Sequence, residues 1–360
     1  MKYQVFTNTP AHVHLYRNAV QELVDRGHDV LVLGRDYACT RDLLEHYDLP
    51  FEIYGTQGTS TGSLVRSVPR QFAGIARRTR AFDPDLIFGR GAYAAFAGTI
   101  SGAEVILVLD SEPSMLAHSV SSRFADAVLS PNAFDGDLGD HHYRFRGLTE
   151  CAYLHPDVRD SDVDARQELG LESGERYVLV RFNAYDALHD VGEGGFDREQ
   201  RERLIRALSE DATVIVSDEG GDLDLSGLPA RPYDLQPARI HDVMDGASLL
   251  VADTGTMVTE SALLGTPTIR SSPHVGEDDM GEFRELERAG LVRNVAGFDS
   301  VVQTARRLLA DRDARRRWRR RRDEFLVDRV NLTRLLVDVA EGPEEIETLT
   351  GTAPRPATMQ

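Results

Sequence analysis

The sequence predicts an α/β protein built from two parallel-sheet domains, and three observations carry this prediction. Short apolar segments alternate with amphipathic helical segments along most of the chain, which is typical of parallel β-α-β units. A polar, acidic, turn-rich stretch at 156–174 divides this alternation into two series. The length of 360 residues is sufficient for two domains that each bury a core. We therefore predict domains at 1–155 and 175–318, joined by a linker at 156–174.

The first domain is predicted to begin with a Rossmann-like strand-helix-strand unit. Residues Val13–Arg26 carry apolar side chains at spacings of three and four, on one face of a helix that Gly27 ends. Strand-like runs flank this helix on both sides, and four more follow it along the chain. The predicted strands are Tyr3–Thr7, Asp29–Leu33, Phe51–Tyr54, Leu86–Phe88, Val105–Leu109 and Ala127–Leu129.

The second domain repeats this organisation without an exact internal repeat. We expect residues 319–340 to form a helix that crosses back to the first domain, and 341–360 to be a disordered tail because glycine and proline recur there. The predicted strands are Tyr177–Arg181, Ala212–Ser217, Leu249–Ala252 and Thr268–Arg270, and the predicted helices are Asp197–Ser209 and Thr256–Leu264.

Charge and cysteine content exclude several classes of protein. The chain has 41 Lys+Arg against 59 Asp+Glu, a net charge of -18, and Lys2 is its only lysine. We interpret this as the acidic surface of a halophilic source, and as evidence against a nucleic-acid partner, which requires clustered cations. Two distant cysteines, Cys39 and Cys151, exclude a disulfide framework and a zinc finger. Because no signal peptide or apolar span is present, we expect a soluble, cytoplasmic protein.

One basic block interrupts this acidity, at Arg312–Arg322. It is interpreted as a solvated helix face paired with neighbouring acids. The alternative is a peripheral membrane contact or an anionic-acceptor contact with Trp318 as its anchor.

The most informative segment is Leu249–Pro267, LLVADTGTMVTESALLGTP, which predicts a strand, a tight polar turn and a helix. Helix N-termini bind phosphates because their first N–H groups have no intrahelical partner. Glu260, one turn into the helix, could then accept hydrogen bonds from a ribose diol. Alternatively, the turn threonine is only an N-cap and Glu260 a surface acid. The predicted phosphate-binding residues are Asp253, Thr254, Gly255 and Thr256.

This segment resembles the donor-binding segment of GT-B glycosyltransferases and of non-hydrolysing UDP-N-acetylglucosamine 2-epimerases. The shared features are a Ser/Thr-Gly-Gly-like turn, a helical glutamate and a Leu-Gly-x-Pro ending. Over residues 1–335 the chain most resembles an archaeal and bacterial family known as domain of unknown function 354. The resemblance implies a GT-B-like fold with two Rossmann-like domains facing across a cleft. It also implies that the turn at 254–256 contacts a diphosphate and that Glu260 contacts the ribose.

A second candidate segment follows the first predicted strand, where open α/β folds bind ligands. His12 resembles in position the histidine of the glycine-rich loop in lipid-linked GT-B enzymes, and would act as a base on an acceptor hydroxyl. The loop lacks that family's glycines. Asn8, Thr9 and His14 are the accompanying acceptor-side residues, and at most one of the two histidines is expected to face the ligand.

The polar segment RFNAYDALHD follows the first strand of the second domain. Arg181 would neutralise diphosphate charge and Tyr185 would stack on a base or sugar, while Asp186 or His189 would bind polar groups. The alternative interpretation is an ion-paired loop.

Asp110 and Glu112 end the strand of VILVLDSEP and form a third candidate site, suited to acid/base catalysis. A glutamate in a comparable place in the 2-epimerases supports that interpretation. Three departures from the epimerase pattern oppose it, at 9–11, at 89–92 and at 181–182.

The function predicted from these segments is a metal-independent, nucleotide-sugar-dependent glycosyltransferase without a cofactor. Its partners would be a nucleotide-sugar donor and a lipid-linked or glycan acceptor, with His12 as base and Asp110 or Glu112 as its substitute. The alternatives are a nucleotide-sugar 2-epimerase or hydrolase, and a protein that binds a nucleotide sugar without turnover.

Overall fold

The computed structural model describes residues 1–56, 61–159, 163–183, 195–221, 223–276 and 279–351, without the side chains of 61–67. The chain forms two units. Unit 1 combines Met1–Arg159 with Arg329–Gln360, and unit 2 is Asp160–Asp328.

Unit 1 alternates strands and helices from its first residues, as the apolar pattern predicts. Its elements are β1 Lys2–Thr7, α1 Pro10–Asp25, β2 Asp29–Asp36, α2 Thr40–His46, β3 Phe51–Thr56, α3 Thr61–Phe82, β4 Leu86–Gly89, α4 Ala92–Ser101, β5 Glu104–Val108, α5 Met115–Ser121, β6 Ala127–Pro131, β7 His142–Phe145 and α6 Cys151–Leu154.

The described strands of unit 1 form one parallel sheet in the order β3-β2-β1-β4-β5-β6-β7. The order reverses direction between β1 and β4, which is the point where doubly wound sheets bind ligands beyond the carboxyl ends of the strands. The loops after β1, β2, β4 and β5 therefore meet at one edge. We refer to this edge of unit 1 as the unit 1 ligand edge.

A C-terminal segment completes unit 1 after the chain has left unit 2. Its helices are α14 (Leu332–Glu341), which packs on α1 and α6, and α15 (Ile346–Thr350). The hydroxyl of Tyr3 donates to the carbonyl of Ala340 at 3.0 Å, and that of Thr333 donates to the carbonyl of Ala152. The expectation of a disordered tail from residue 341 is therefore wrong up to residue 351, because Ile346 and Thr350 bury against the unit.

Unit 2 is a second alternation of strands and helices. Between α7 (Ala165–Glu168) and α13, its elements are β8 Tyr177–Phe182, α8 Arg198–Ser209, β9 Thr213–Asp218, β10 Ala230–Pro232, α9 Ile240–Gly246, β11 Leu249–Ala252, α10 Thr256–Leu263, β12 Thr268–Ser271, α11 Gly281–Arg288, β13 Arg293–Val295, α12 Phe298–Ala310 and α13 Ala314–Leu326.

The described strands of unit 2 are also all parallel, in the order β10-β9-β8-β11-β12-β13. Helix α8 begins at a capping box in which the Asp197 carboxylate accepts the N–H of Gln200 while the Gln200 side chain accepts the N–H of Asp197. The buried face of α8 packs with α12 against this sheet. We refer to the edge beyond the carboxyl ends of these strands as the unit 2 ligand edge.

The predicted helix at 319–340 is two helices in different units. Helix α13 ends at Leu326 in unit 2, and α14 begins at Leu332 in unit 1. The apolar pattern continues through both helices, so periodicity alone does not show the break between them.

The basic block lies on α13 and its tryptophan is a core residue. Trp318 is only 1% exposed, and its indole N–H donates to the carbonyl of Leu291 at 2.7 Å. Arg315 donates to backbone carbonyls at the end of α9, and Arg321 donates to the carbonyl of Gly290 after α11. Trp318 is therefore not exposed as a membrane anchor. No helix within the described residues is long and apolar enough to cross a membrane.

Candidate functional site

The predicted phosphate-binding turn lies at the unit 2 ligand edge. Strand β11 is central in the sheet and ends at Ala252, and α10 begins at Thr256, which is exposed. An ideal Cβ atom built on Gly255 would lie 3.2 Å from the Phe283 ring, so glycine permits the turn to pack against α11. The first N–H groups of α10 have no carbonyl within the helix to bind. The turn is thus suited to an anion.

Thr254 contributes a hydroxyl to this turn. Among the described residues it has no hydrogen-bond partner, although the oxygen itself is buried. A buried hydroxyl without a partner is destabilising, and a ligand oxygen at the turn would satisfy it.

Glu260 lies one turn into α10 and is only 4% exposed. Its Oε1 lies 3.0 Å from Nε2 of His241, a buried residue on α9. The interpretation of Glu260 as a surface acid is therefore wrong. His241 orients the carboxylate, and sequence spacing does not reveal that contact because α9 and α10 are joined through β11.

Asp253 binds backbone groups on both sides of residues 184–194. Its Oδ1 accepts the N–H of Asn183 at 2.8 Å, and its Oδ2 accepts the N–H of Phe196 at 3.1 Å. Arg201, on α8, donates to the carbonyls of the same two residues at 2.8 and 2.9 Å. Burial raises the pKa of the Asp253 carboxyl, while the two N–H groups and Arg201 oppose that shift. In this arrangement Asp253 positions backbone and does not present its carboxylate to a diphosphate.

Arg181 ends β8 at the same edge and is engaged by its own sheet. It forms an ion pair with Glu219 at 2.8 Å and donates to the hydroxyl of Ser217 at 2.9 Å. These contacts agree with the ion-paired interpretation of this segment. Tyr185, Asp186 and His189 lie outside the described residues.

Asn8 organises the unit 1 ligand edge. It is buried directly after β1, and its side-chain oxygen accepts the hydroxyl of Tyr54 at 2.8 Å. Its backbone N–H donates to Nδ1 of His12 at 3.1 Å, and its carbonyl accepts Nε of Arg35 at 3.1 Å. One residue therefore holds an imidazole, a guanidinium and a phenol at the end of the sheet. Sequence analysis did not select Arg35 and Tyr54, although each lies at the end of a predicted strand.

The two other residues predicted at the unit 1 ligand edge, Thr9 and His14, have structural roles. Thr9 is the N-cap of α1, although its side chain makes no capping hydrogen bond. His14 is buried between the rings of Tyr47 and Tyr153, with ring centroids 5.9 and 5.4 Å away. His12 is therefore the histidine of this pair that belongs to the ligand edge.

The contact with Asn8 determines the tautomer of the neutral His12 ring. Because Nδ1 accepts a backbone N–H, the neutral ring carries its proton on Nε2. The pKa of His12 is lowered well below its ordinary value, first by burial and then by the positive charges of Arg90 and Arg35. At neutral pH, His12 thus presents an N–H donor.

We expect unit 1 to lose stability as the pH falls below about 6.5. The unfolded imidazole of His12 gains a proton there, while the folded one does so only at lower pH, so the unfolded chain binds more protons and the free energy of unfolding rises with pH. The slope from His12 is at most about 1.4 kcal/mol per pH unit. Denaturant unfolding from pH 7.5 to 5, followed for wild type and His12→Gln, should show a shallower slope in the variant.

Part of the slope should remain in that variant, because burial also lowers the pKa of His118. His46→Gln, on α2, is the matched control. Equal slopes for wild type and His12→Gln would show that His12 does not titrate differently in the folded and unfolded chain.

The acids after β5 have different surroundings. Asp110 pairs with Arg90, which follows β4, and its Oδ2 accepts the hydroxyl of Thr149 at 2.8 Å. Glu112 is half-buried, and its Oε1 accepts the N–H of Asp135 at 3.3 Å. The sequence analysis noted Arg90 only within 89–92, one of the departures from the epimerase pattern. In the structure it is the cation that binds Asp110.

The fold is similar to solved enzymes of two kinds. A putative UDP-N-acetylglucosamine 2-epimerase from Listeria monocytogenes has a TM-score of 0.68 at 13% identity, covering 100% of this chain and 99% of that chain. The Methanocaldococcus jannaschii UDP-GlcNAc 2-epimerase, solved with UDP-GlcNAc and UDP, has a TM-score of 0.67 at 12% identity, covering 95% and 100%. The glycosyltransferase VinC, solved with dTDP, has a TM-score of 0.60 at 13% identity, covering 96% and 100%.

No protein-family model and no curated protein matches the sequence. The structural matches extend over both parallel-sheet units, and the chain has a GT-B-like fold. At these identities the likeness concerns the fold alone. The predicted fold class is confirmed.

Proposed function

We propose that the protein is a nucleotide-sugar-dependent glycosyltransferase of the GT-B type that acts without a metal. The observation that carries the proposal is the β11–α10 turn at the unit 2 ligand edge. It combines a helix N-terminus, the Thr254 hydroxyl and, one turn deeper, the buried carboxylate of Glu260. These groups match a diphosphate followed by a ribose. The fold, shared with enzymes solved with UDP-GlcNAc and dTDP, supports the same ligand class.

In this proposal unit 2 holds the donor. Thr256 and the N–H groups of α10 stabilise the negative charge of the leaving diphosphate, which is the task that a metal ion performs elsewhere. Arg181, which forms an ion pair with Glu219, adds positive charge at this edge. Glu260, oriented by His241, accepts the ribose hydroxyls.

Unit 1 holds the acceptor. Because His12 presents Nε2–H, we assign it to hydrogen bonding with the acceptor and not to proton removal. The base is then proposed to be one of the two carboxylates after β5, Asp110 or Glu112.

Nucleotide binding tests the proposal. We expect one of UDP, GDP, CDP and dTDP, or its sugar, to raise the unfolding midpoint, because a ligand at about 100 times its Kd adds about 2.7 kcal/mol to the free energy of unfolding. Glu260→Gln should raise the Kd of that nucleotide about tenfold, since it removes the charge that binds the ribose. It keeps an acceptor oxygen for His241. The screen is run at low and high potassium chloride.

The control variant is Glu210→Gln, which removes an exposed unit 2 carboxylate paired with Arg306. It should leave the Kd within about twofold of wild type. If no nucleotide alters the midpoint, or if both variants bind like wild type, the donor site is not at this turn.

A nucleotide-sugar 2-epimerase is the second candidate function. The two epimerases cited above have higher TM-scores than VinC, 0.68 and 0.67 against 0.60. Incubation with UDP-GlcNAc alone separates the two candidates, because an epimerase changes the sugar without an acceptor. We also propose, from the sequence motifs alone, that the chain belongs to the domain of unknown function 354 family.

A further inference from the structure

The unit 1 ligand edge contains a cation whose charge no described carboxylate neutralises. Arg35 donates from Nε to the carbonyl of Asn8 and lies over the ring of Tyr37 at 5.7 Å. Within the described part of the chain it has no carboxylate partner. Its neighbour Asp36 pairs with Arg41, and the nearby Asp110 pairs with Arg90.

The backbone of β2 changes its pairing at this residue. The register against β3 shifts between Gly34 and Arg35. A bulge of this kind redirects a side chain and is frequent beside ligand sites. A Cβ atom at Gly34 would lie 2.7 Å from the Leu44 side chain and 3.1 Å from that of Ile53, so a larger residue there would require these side chains to shift.

Arg35 and His12 are held by the same residue. The carbonyl of Asn8 fixes the guanidinium and the N–H of Asn8 fixes the imidazole. Both therefore offer N–H donors beside one residue. Among the described residues, no hydrogen bond engages the other guanidinium N–H groups or Nε2–H of His12, which leaves them for a ligand. The lowered pKa of His12 reflects in part the positive potential of Arg35 and Arg90 at this place.

We propose that the unit 1 ligand edge binds an anionic group of the acceptor, a phosphate or a carboxylate, through the guanidinium of Arg35 and the Nε2–H of His12. Guanidinium matches both anions through two parallel hydrogen bonds. The identity of the ligand as an acceptor rests on the proposed function. The anion site itself rests only on the contacts of unit 1.

The test uses the full chain and the imidazole signal of His12. In protein labelled with ¹⁵N-histidine, the His12 ring is assigned as the resonance that His12→Gln removes from the 11 histidines. Inorganic phosphate and acetate are titrated separately at pH 7.5 and constant ionic strength, with chloride as the reference anion. We expect the Nε2 resonance of wild type to shift with saturation in phosphate, in acetate or in both. The anion that acts identifies the acceptor group.

Three variants determine the result. Arg35→Gln should weaken the anion affinity at least tenfold, Arg35→Lys should retain part of it, and Arg41→Gln, which removes a paired arginine beside Asp36, should stay within about twofold of wild type. No shift of the His12 resonance with either anion would overturn the proposal. The same shift in Arg35→Gln as in wild type would overturn it too.

This test can fail independently of the proposed function. Its readout is a ring in unit 1, whereas the proposed function is tested by nucleotide binding to unit 2. An anion site at Arg35 without nucleotide binding would keep this inference and remove the glycosyltransferase. Nucleotide binding without an anion response would keep the proposed function and remove this inference.

Discussion

Replacing Trp318 with alanine is expected to lower the free energy of unfolding of unit 2 by about 3–5 kcal/mol. The indole is 1% exposed, and Arg293 and Arg321 flank it at 5.4 and 5.1 Å. The substitution creates a cavity and leaves the carbonyl of Leu291 without its donor. Trp318→Phe should cost less, because it keeps much of the buried ring. Denaturant unfolding measures both effects. Far-UV circular dichroism is the signal, because Trp318 is the only tryptophan and both substitutions remove its fluorescence.

Val327→Ala is the matched control for this experiment. Its side chain is 84% exposed at the end of α13, so its effect should stay within about 0.5 kcal/mol. The membrane interpretation of the basic block predicts the opposite pattern for Trp318→Ala, unchanged stability with loss of binding to anionic vesicles. That pattern would contradict the core assignment.

Replacing Asp253 with alanine is expected to destabilise unit 2 by about 3 kcal/mol. The variant leaves the part-buried N–H of Asn183 and the buried N–H of Phe196 without an acceptor, and it removes the carboxylate beside Arg201. Asp253→Asn should have an intermediate effect, because its amide oxygen can replace only one of the two acceptors.

Thermal and denaturant unfolding of these variants, with and without the nucleotide selected in the screen, also separates two roles of Asp253. If Asp253 positions backbone, the affinity and the stability fall together in Asp253→Ala. If it contacts the ligand directly, affinity falls while stability does not. Asp299→Ala, at a side chain 91% exposed, is the control and should leave both nearly unchanged.

The sequence predicts the central strands of both sheets but not most of the edge strands. Of the strands within the described residues, β7, β10 and β13 were missed, and each lies at an edge of its sheet. Their sequences, HYRF, ARP and RNV, are short and polar. An edge strand has one hydrogen-bonded neighbour and buries less surface, so it lacks the apolar run that reveals a central strand. The same reason explains why nine of the ten predicted strands lie in the interior of a sheet, β3 being the one predicted edge strand.

Strand ends are predictable from a sequence, whereas partners across a sheet are not. Asn8, Asp110 and the turn before α10 were selected because each directly follows a predicted strand. The same rule applied to β2 and β4 would have selected Arg35 and Arg90. Two pairs at these edges, Asp110 with Arg90 and Glu260 with His241, form because particular strands and helices become neighbours. Spacing along the chain contains no information about which elements are neighbours.

The return of the chain to unit 1 affects the order in which the protein can fold during synthesis. Unit 2 is one continuous segment, whereas unit 1 needs α14, which the ribosome makes after unit 2. Domains usually fold in the order of synthesis. Here the first part of unit 1 waits for α14, because α1 packs on that helix and the Tyr3 hydroxyl donates to its Ala340 carbonyl. A nascent chain halted at residue 328 should therefore have a folded unit 2 and an unfinished unit 1.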